Sequence, residues 1–309
     1  MPEPRFDELT ATLAEINAAD AAAPAAAALF DYQTGRAWAY DGDRWFHAAS
    51  MIKIAVLACL STTLQERRVT PRHRLHVRNR FFSAADGTPY RILASRDADA
   101  EVYTSIGRSM RIGDLARHMI VVSSNLATNV LLEFIGVDRA RRILADAGIQ
   151  GIDLVRGVED DRAFDAGISN RVTANGLIGL LRAILEGRFG SDEHTAEMID
   201  ILCAQEFNSG IPAGLPAPVR AAARIAHKTG EISTATHDAG VVFLPGRPPY
   251  ALAVLTGTPS DAGQRFAAIA RVSALAFEHL QAPRKALTID SHSTSSVSLQ
   301  TGRAARRYQ

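Results

Sequence analysis

A chain of 309 residues with 47% hydrophobic content is long enough to bury a substantial core, and its 34 basic and 33 acidic side chains leave a net charge of +1. That balance gives no general pull toward nucleic acid or an anionic membrane, which excludes polyanion binding as the main activity. Two cysteines exclude a disulfide-rich scaffold and a four-thiolate zinc site; both are expected to be buried thiols, a single Cys59–Cys203 bridge being the alternative.

The first twenty residues carry Glu3, Asp7, Glu8, Glu15 and Asp20 against Arg5 alone, the opposite of a basic leader, and Pro24 breaks the alanine-rich stretch that follows. As written, the chain reads as cytoplasmic; a periplasmic or secreted location would require a removed leader. Residues 6–19 place Phe6, Leu9, Leu13 and Ile16 on one helical face, and 26–32 and 37–40 read as strands joined at Gln33-Thr34-Gly35. Ser50 opens a strongly apolar helix that runs to about Leu64, and its longest apolar run, residues 54–60, is too short to cross a bilayer. The arginine-rich segment 67–80 contains Pro71 and no aromatic before Phe81, which predicts a solvated connecting loop rather than a nucleic-acid surface.

Helical patterns then run into Val122, from Asn125 to Ile135, from Asp138 to Gly148 and from Thr173 to Leu185. The acidic stretch 149–170 between the last two is long for a structureless connection and is a candidate active-site loop. After a Pro/Gly-rich passage at 210–218, strands are expected at 223–229, 239–244 and 250–256, followed by a helix from 262 to about 280. Strands at both ends of the chain predict an α/β protein, an αβα sandwich. Its antiparallel sheet is built from both chain ends, with the terminal helices on one face and an all-helical subdomain on the other. The expected organisation is one catalytic domain over 1–284, with an α/β part at 1–49 and 219–284 and the helical subdomain at 50–218. The Ser/Thr-rich 285–309 is expected to be a disordered tail.

Arginine supplies nearly every positive charge; the only lysines are Lys53, Lys228 and Lys285. An ammonium gives up its proton when desolvated and a guanidinium does not, so lysine here points to proton transfer. In Ser50-Met51-Ile52-Lys53, the i and i+3 side chains share a helical face, which lets the Lys53 amine reach the Ser50 hydroxyl as its base. Ser123-Ser124-Asn125 falls in a turn between two helices, where a hydroxyl and an amide can relay a proton and orient a carbonyl, or Ser124 or Asn125 can simply cap a helix. Lys228-Thr229-Gly230 ends a predicted strand; its amine would depress the Lys53 pKa, and its glycine would let a substrate backbone approach.

The order S-x-x-K, S-x-N, K-T-G resembles the penicillin-recognising serine hydrolases, the class A β-lactamases and their transpeptidase and carboxypeptidase relatives, over roughly residues 6–281. The resemblance implies that Ser50 is acylated and that Lys53 is its proton partner. Ser123 would pass the proton to the leaving nitrogen, Lys228 would keep the field positive, Asn125 would touch the substrate amide and Thr229 its carboxylate. The N–H groups of Ser50 and Glu231 would form the oxyanion hole, and Glu159 matches the glutamate that activates the deacylating water. Three positions depart from the family pattern. Ala163 stands where an asparagine would help hold that water, which would leave Glu159 beside Asp160 and Asp161 as an ordinary solvated carboxylate. Ser124 replaces an aspartate that supports the loop, and Glu231 would repel a substrate carboxylate.

The implied activity is β-lactam amide hydrolysis of class A type. The alternatives are a D-amino-acid peptidase or esterase of the same family, and a slowly turning-over penicillin-binding or sensor module. The expected partner is a small amide or ester, β-lactam or D-peptide-like, with no cofactor, metal, nucleic acid or membrane, and the protein itself is expected to be a monomer. His73 with His76, and His194 with Glu197, lack a third ligand and read as surface residues. Ser233, His237 and Asp238 lie too close along one strand for a catalytic triad, since neighbouring side chains point to opposite faces.

Overall fold

In the computed structural model the described residues are 6–19, 25–257 and 262–281, so the expected 285–309 tail lies outside them. Five strands, β1 (Ala25–Asp31), β2 (Arg36–Tyr40), β3 (Arg224–Ile232), β4 (Ala235–Phe243) and β5 (Tyr250–Gly257), form an antiparallel sheet in the order β3-β4-β5-β1-β2. Every residue of β1 except Phe30 is buried. An unbroken apolar run of this kind marks a strand covered on both faces, and the packing follows that pattern. Ala25, Ala27 and Leu29 join the core under the terminal helices, whereas Ala26 and Ala28 join the core under the helical layer.

Eight longer helices surround the sheet: α1 (Asp7–Ala19), α2 (Ile52–Arg67), α3 (Ile112–Val121), α4 (Asn125–Ile135), α5 (Val137–Asp146), α6 (Ala174–Leu185), α7 (Asp192–Cys203) and α8 (Ala262–Gln281). The terminal helices α1 and α8 pack together on one face. On the other, α6 lies against β1 and β5, where Ala26, Ala28, Ala251 and Ala253 let a helix approach closely. The sheet made from both chain ends, with terminal helices on one side and helices on the other, is therefore the observed architecture. Residues 52–64 of α2 are buried except for Thr62, so this helix is apolar all round and threads the helical layer. It carries Lys53 into that interior.

Several sequence expectations shift. The strand bearing Lys228-Thr229-Gly230 does not end there: β3 continues to Ile232, because Lys228 pairs with Ala239, Gly230 with His237 and Ile232 with Ala235. Segment 67–80 is not wholly loop, since Arg74–His76 pairs with Ser109–Arg111. The pattern reading missed α7, although Ser191 accepts a capping hydrogen bond from the His194 N–H. Both cysteines are free; Cys59 is buried and Cys203 only half-buried.

Candidate active site

Ser50 sits in a short 3₁₀ turn, Ala49–Met51, that leads into α2. The turn is fixed locally by Ala49, at φ 45°, and by its N–H, which donates to His47 Nδ1 at 3.0 Å. Strand β3 passes directly beside it. A Cβ on Gly230 would lie 3.1 Å from the backbone nitrogens of both Ser50 and Met51, so a side chain here would press on the Ser50 turn and the glycine lets strand and turn pack this closely.

One helical turn on, Lys53 is fully buried. Its Nζ donates to the Ser123 carbonyl at 2.7 Å, to Ser123 Oγ at 3.1 Å and to Asn125 Oδ1 at 2.8 Å. Ser123 Oγ in turn lies 3.0 Å from Ser50 Oγ. The expected direct Lys53–Ser50 contact is replaced by a chain of three groups in which Ser123 is the middle member. Ser123 adopts φ 62°, a conformation costing a non-glycine residue roughly 1–3 kcal/mol. Asp97 secures the turn that follows: its carboxylate accepts from the N–H groups of Asn125 at 3.3 Å and Leu126 at 2.7 Å and from Ser124 Oγ at 3.3 Å. These are orphan donors at the start of α4, where a negative charge is favoured. Ser124 also caps α4 through the Ala127 N–H, so the carboxylate missing from position 124 is supplied by Asp97.

Burial drives the Lys53 pKa down to about 7, against the opposing pull of Asp97 and Glu159. Lys228, also fully buried, donates from Nζ to the Thr229 carbonyl at 2.8 Å. Its pKa falls well below the ordinary lysine value, through burial first and the Lys53 charge second. Desolvation is the first cause of both shifts, and the charge of Lys53 adds to the fall at Lys228.

The 149–170 stretch is tied down from end to end and includes a short helix, Asp161–Asp165. Asn129 clamps Val158 on both sides, accepting from its N–H at 2.8 Å and donating to its carbonyl at 3.0 Å. Arg156 reaches the Ile168 carbonyl at 2.7 Å, and Asn170 accepts from the Val155 and Arg156 N–H groups. Glu159, at φ 60°, accepts from Asn125 Nδ2 at 3.0 Å and pairs with Arg96. It is therefore not the solvated carboxylate that Ala163 seemed to leave. Asp160 is buried and accepts from the Ala84 and Ala163 N–H groups, while Asp161 is held by Arg96. Arg96, Asp97 and Asn129 are the contributors that sequence reasoning missed.

Ser50, Asn125 and Glu159 line a cleft of about 870 Å³, and Ser50, Ser123, Thr229 and Glu231 line an adjoining recess of about 220 Å³. Six of the predicted site residues, Ser50, Ser123, Asn125, Glu159, Thr229 and Glu231, thus reach the cavities around one hydroxyl; Lys53 and Lys228 are buried and Gly230 packs against the Ser50 turn. His237 and Asp238 form no triad: His237 Nε2 donates to the His47 carbonyl at 2.9 Å, and Asp238 pairs with His227 at 2.9 Å. Burial lowers the His237 pKa to about 4, so the ring is neutral. His73 and His76 are exposed, whereas His194 and Glu197 are half-buried rather than on the surface. Among the described residues there is no cluster of three metal-ligating side chains, and no helix long and apolar enough to cross a membrane.

Residues 8–280 match the sequence profile of the beta-lactamase enzyme family. A beta-lactamase of Streptomyces fradiae is 30% identical over 241 residues, covering 74% of this chain and 71% of its own length. Among solved structures, an ancestral class A beta-lactamase is 26% identical with a TM-score of 0.74, covering 87% of this chain and 99% of that one. A PBP-A mutant in acyl-enzyme complex with penicillin G is 25% identical with a TM-score of 0.75, covering 88% and 96%.

Proposed function

The chain belongs to the beta-lactamase enzyme family, whose members are hydrolases, and from that premise we propose that it is a serine hydrolase acting through an acyl-enzyme on Ser50, with a β-lactam amide as the favoured substrate. The observation that carries this reading is the chain Lys53–Ser123–Ser50, ending on an amine whose pKa of about 7 leaves it partly neutral at neutral pH. Hydroxyl hydrogens rotate, so the chain can run in either direction. With Lys53 neutral, Ser50 Oγ attacks the substrate carbonyl while its proton moves through Ser123 to Lys53. As the C–N bond breaks, Ser123 returns a proton to the leaving nitrogen.

Ser50 N lies against Gly230, the residue before Glu231, which supports an oxyanion hole made from the Ser50 and Glu231 N–H groups. One such donor contributes about 10²–10³ in rate. Asn125 would receive the substrate amide and Thr229 the polar group on the leaving side. In deacylation a water oxygen bonds to the ester carbon and its proton passes to Glu159. The Ser50 oxygen then departs and recovers its proton.

Glu231 favours a second reading. It is exposed and borders both cavities, beside Thr229 on the leaving-group side. A carboxylate there disfavours an anionic leaving group and suits an ester or an internal D-peptide bond, whose leaving side carries no carboxylate. A chromogenic cephalosporin and a penicillin, followed by colour and by intact mass, decide the matter. Catalytic colour change supports the lactamase; a persistent Ser50 adduct supports a penicillin-binding module. If neither appears while D-peptides or esters turn over, the second reading holds.

A further inference from the structure

Glu159 is pinned at its backbone but not, by that alone, at its carboxylate. Its φ of 60° and the clamping of Val158 by Asn129 fix where the chain runs, and the side chain still has rotatable bonds to settle. What settles it comes from a separate segment. Arg96 pairs through Nε with one Glu159 oxygen. Its two terminal nitrogens lie 2.6 and 2.9 Å from the two oxygens of Asp161. Its carbonyl accepts, at 2.7 Å, from the same Asn125 Nδ2 that donates to Glu159 at 3.0 Å. One arginine therefore links the loop carboxylate, its neighbour and the substrate-facing amide.

We propose that Arg96 is a positioning residue for deacylation: its guanidinium, anchored on Asp161, holds Glu159 against Asn125 as the carboxylate that takes the proton from the attacking water. This rests on the acyl-enzyme reading above. Burial favours the neutral acid and raises the Glu159 pKa, and Asp161 adds to that; Arg96 is the largest opposing influence, followed by Lys53 and Arg156. The Lys53 contribution disappears whenever that amine is neutral. Without Arg96, burial and Asp161 are left largely unopposed, and Glu159 keeps its proton at pH values where it must accept one.

The test uses Arg96→Gln and Arg96→Lys in protein carrying ¹³C-carboxyl glutamate, with the Glu159 resonance identified by its loss in Glu159→Gln. Arg96→Gln should move the Glu159 titration up by about one pH unit or more, a tenfold change in the ionised fraction, and Arg96→Lys should restore part of the shift. In parallel, the penicillin adduct on Ser50 should last about tenfold longer at mildly acidic pH, while adduct formation, which also reports a folded site, stays within about twofold of the parent. An unmoved titration with an unchanged adduct lifetime would overturn the role of Arg96 alone. Absence of any Ser50 adduct in the parent protein would bring down the acyl-enzyme reading and this role together.

Discussion

Under α1 and α8, the sheet is sealed by Leu9, Leu13, Leu29, Leu252, Val254 and Ile269, each at most 1% exposed, and the buried ion pair Arg247–Asp31 on that side is matched charge to charge. Around the Ser50 turn, where it lies against β3 and leads into α2, the interior instead holds two lysines that hydrogen-bond to carbonyl, hydroxyl and amide oxygens rather than to carboxylates. Three of the five described non-glycine residues with positive φ, Ala49, Ser123 and Glu159, border the same place. The first region stabilises the fold by area removed from water, about 25 cal/mol per Å². The second region accepts desolvated amines and strained backbone, and is held in place by the first. Strain and uncompensated polarity gathered around one hydroxyl are what a reacting group requires and a core does not.

Substitutions on the two sides should part company, and the widest separation is expected at Ser50. Ser50→Ala should remove turnover by about 10⁴-fold or more while stability changes by less than about 0.5 kcal/mol, measured by product release and by urea unfolding. Lys53→Arg keeps the charge but cannot accept a proton, so acylation should fall by about 10²–10⁴-fold; an unimpaired variant would show that Lys53 is not the base. Glu159→Gln should slow deacylation by a similar factor and leave acylation intact, so that the Ser50 adduct accumulates in the mass spectrum. In the unmodified protein, the acylating base must be neutral and its pKa is about 7, so the acylation rate should fall about tenfold for each pH unit below 7 and level off above it. Leu252→Ala sharpens the contrast from the other side: it should cost about 2–5 kcal/mol in stability and leave the acylation rate of the folded protein unaltered. Gly230→Ala should be the mildest of the set, slowing acylation by about tenfold as the Ser50 turn yields to a Cβ at 3.1 Å.

Features that repeat along the chain were legible before any coordinates. The segment of β1 read as a strand, Asn125–Ile135 was delimited at both ends, and two lysines in an arginine-rich chain marked the buried amines near Ser50. What stayed hidden depends on contacts between distant segments that leave no periodic trace. Asp97 stabilises a helix that begins 28 residues later, Asn129 holds a loop 29 residues on, and Arg96 acts across 63 and 65 positions on Glu159 and Asp161. The packing of Gly230 against the Ser50 turn was hidden for the same reason, since it joins segments 180 positions apart.

The scarcity of lysine has a practical corollary. Among the described residues, the side-chain amines are those of Lys53 and Lys228, and neither has any surface open to solvent. An anhydride or an activated ester would find no lysine to modify on that part of the folded protein. The appearance of label at position 53 would instead time the moments when the packing between α2 and the start of α4 comes apart, turning a reagent normally used to tag surfaces into a clock for the opening of the interior.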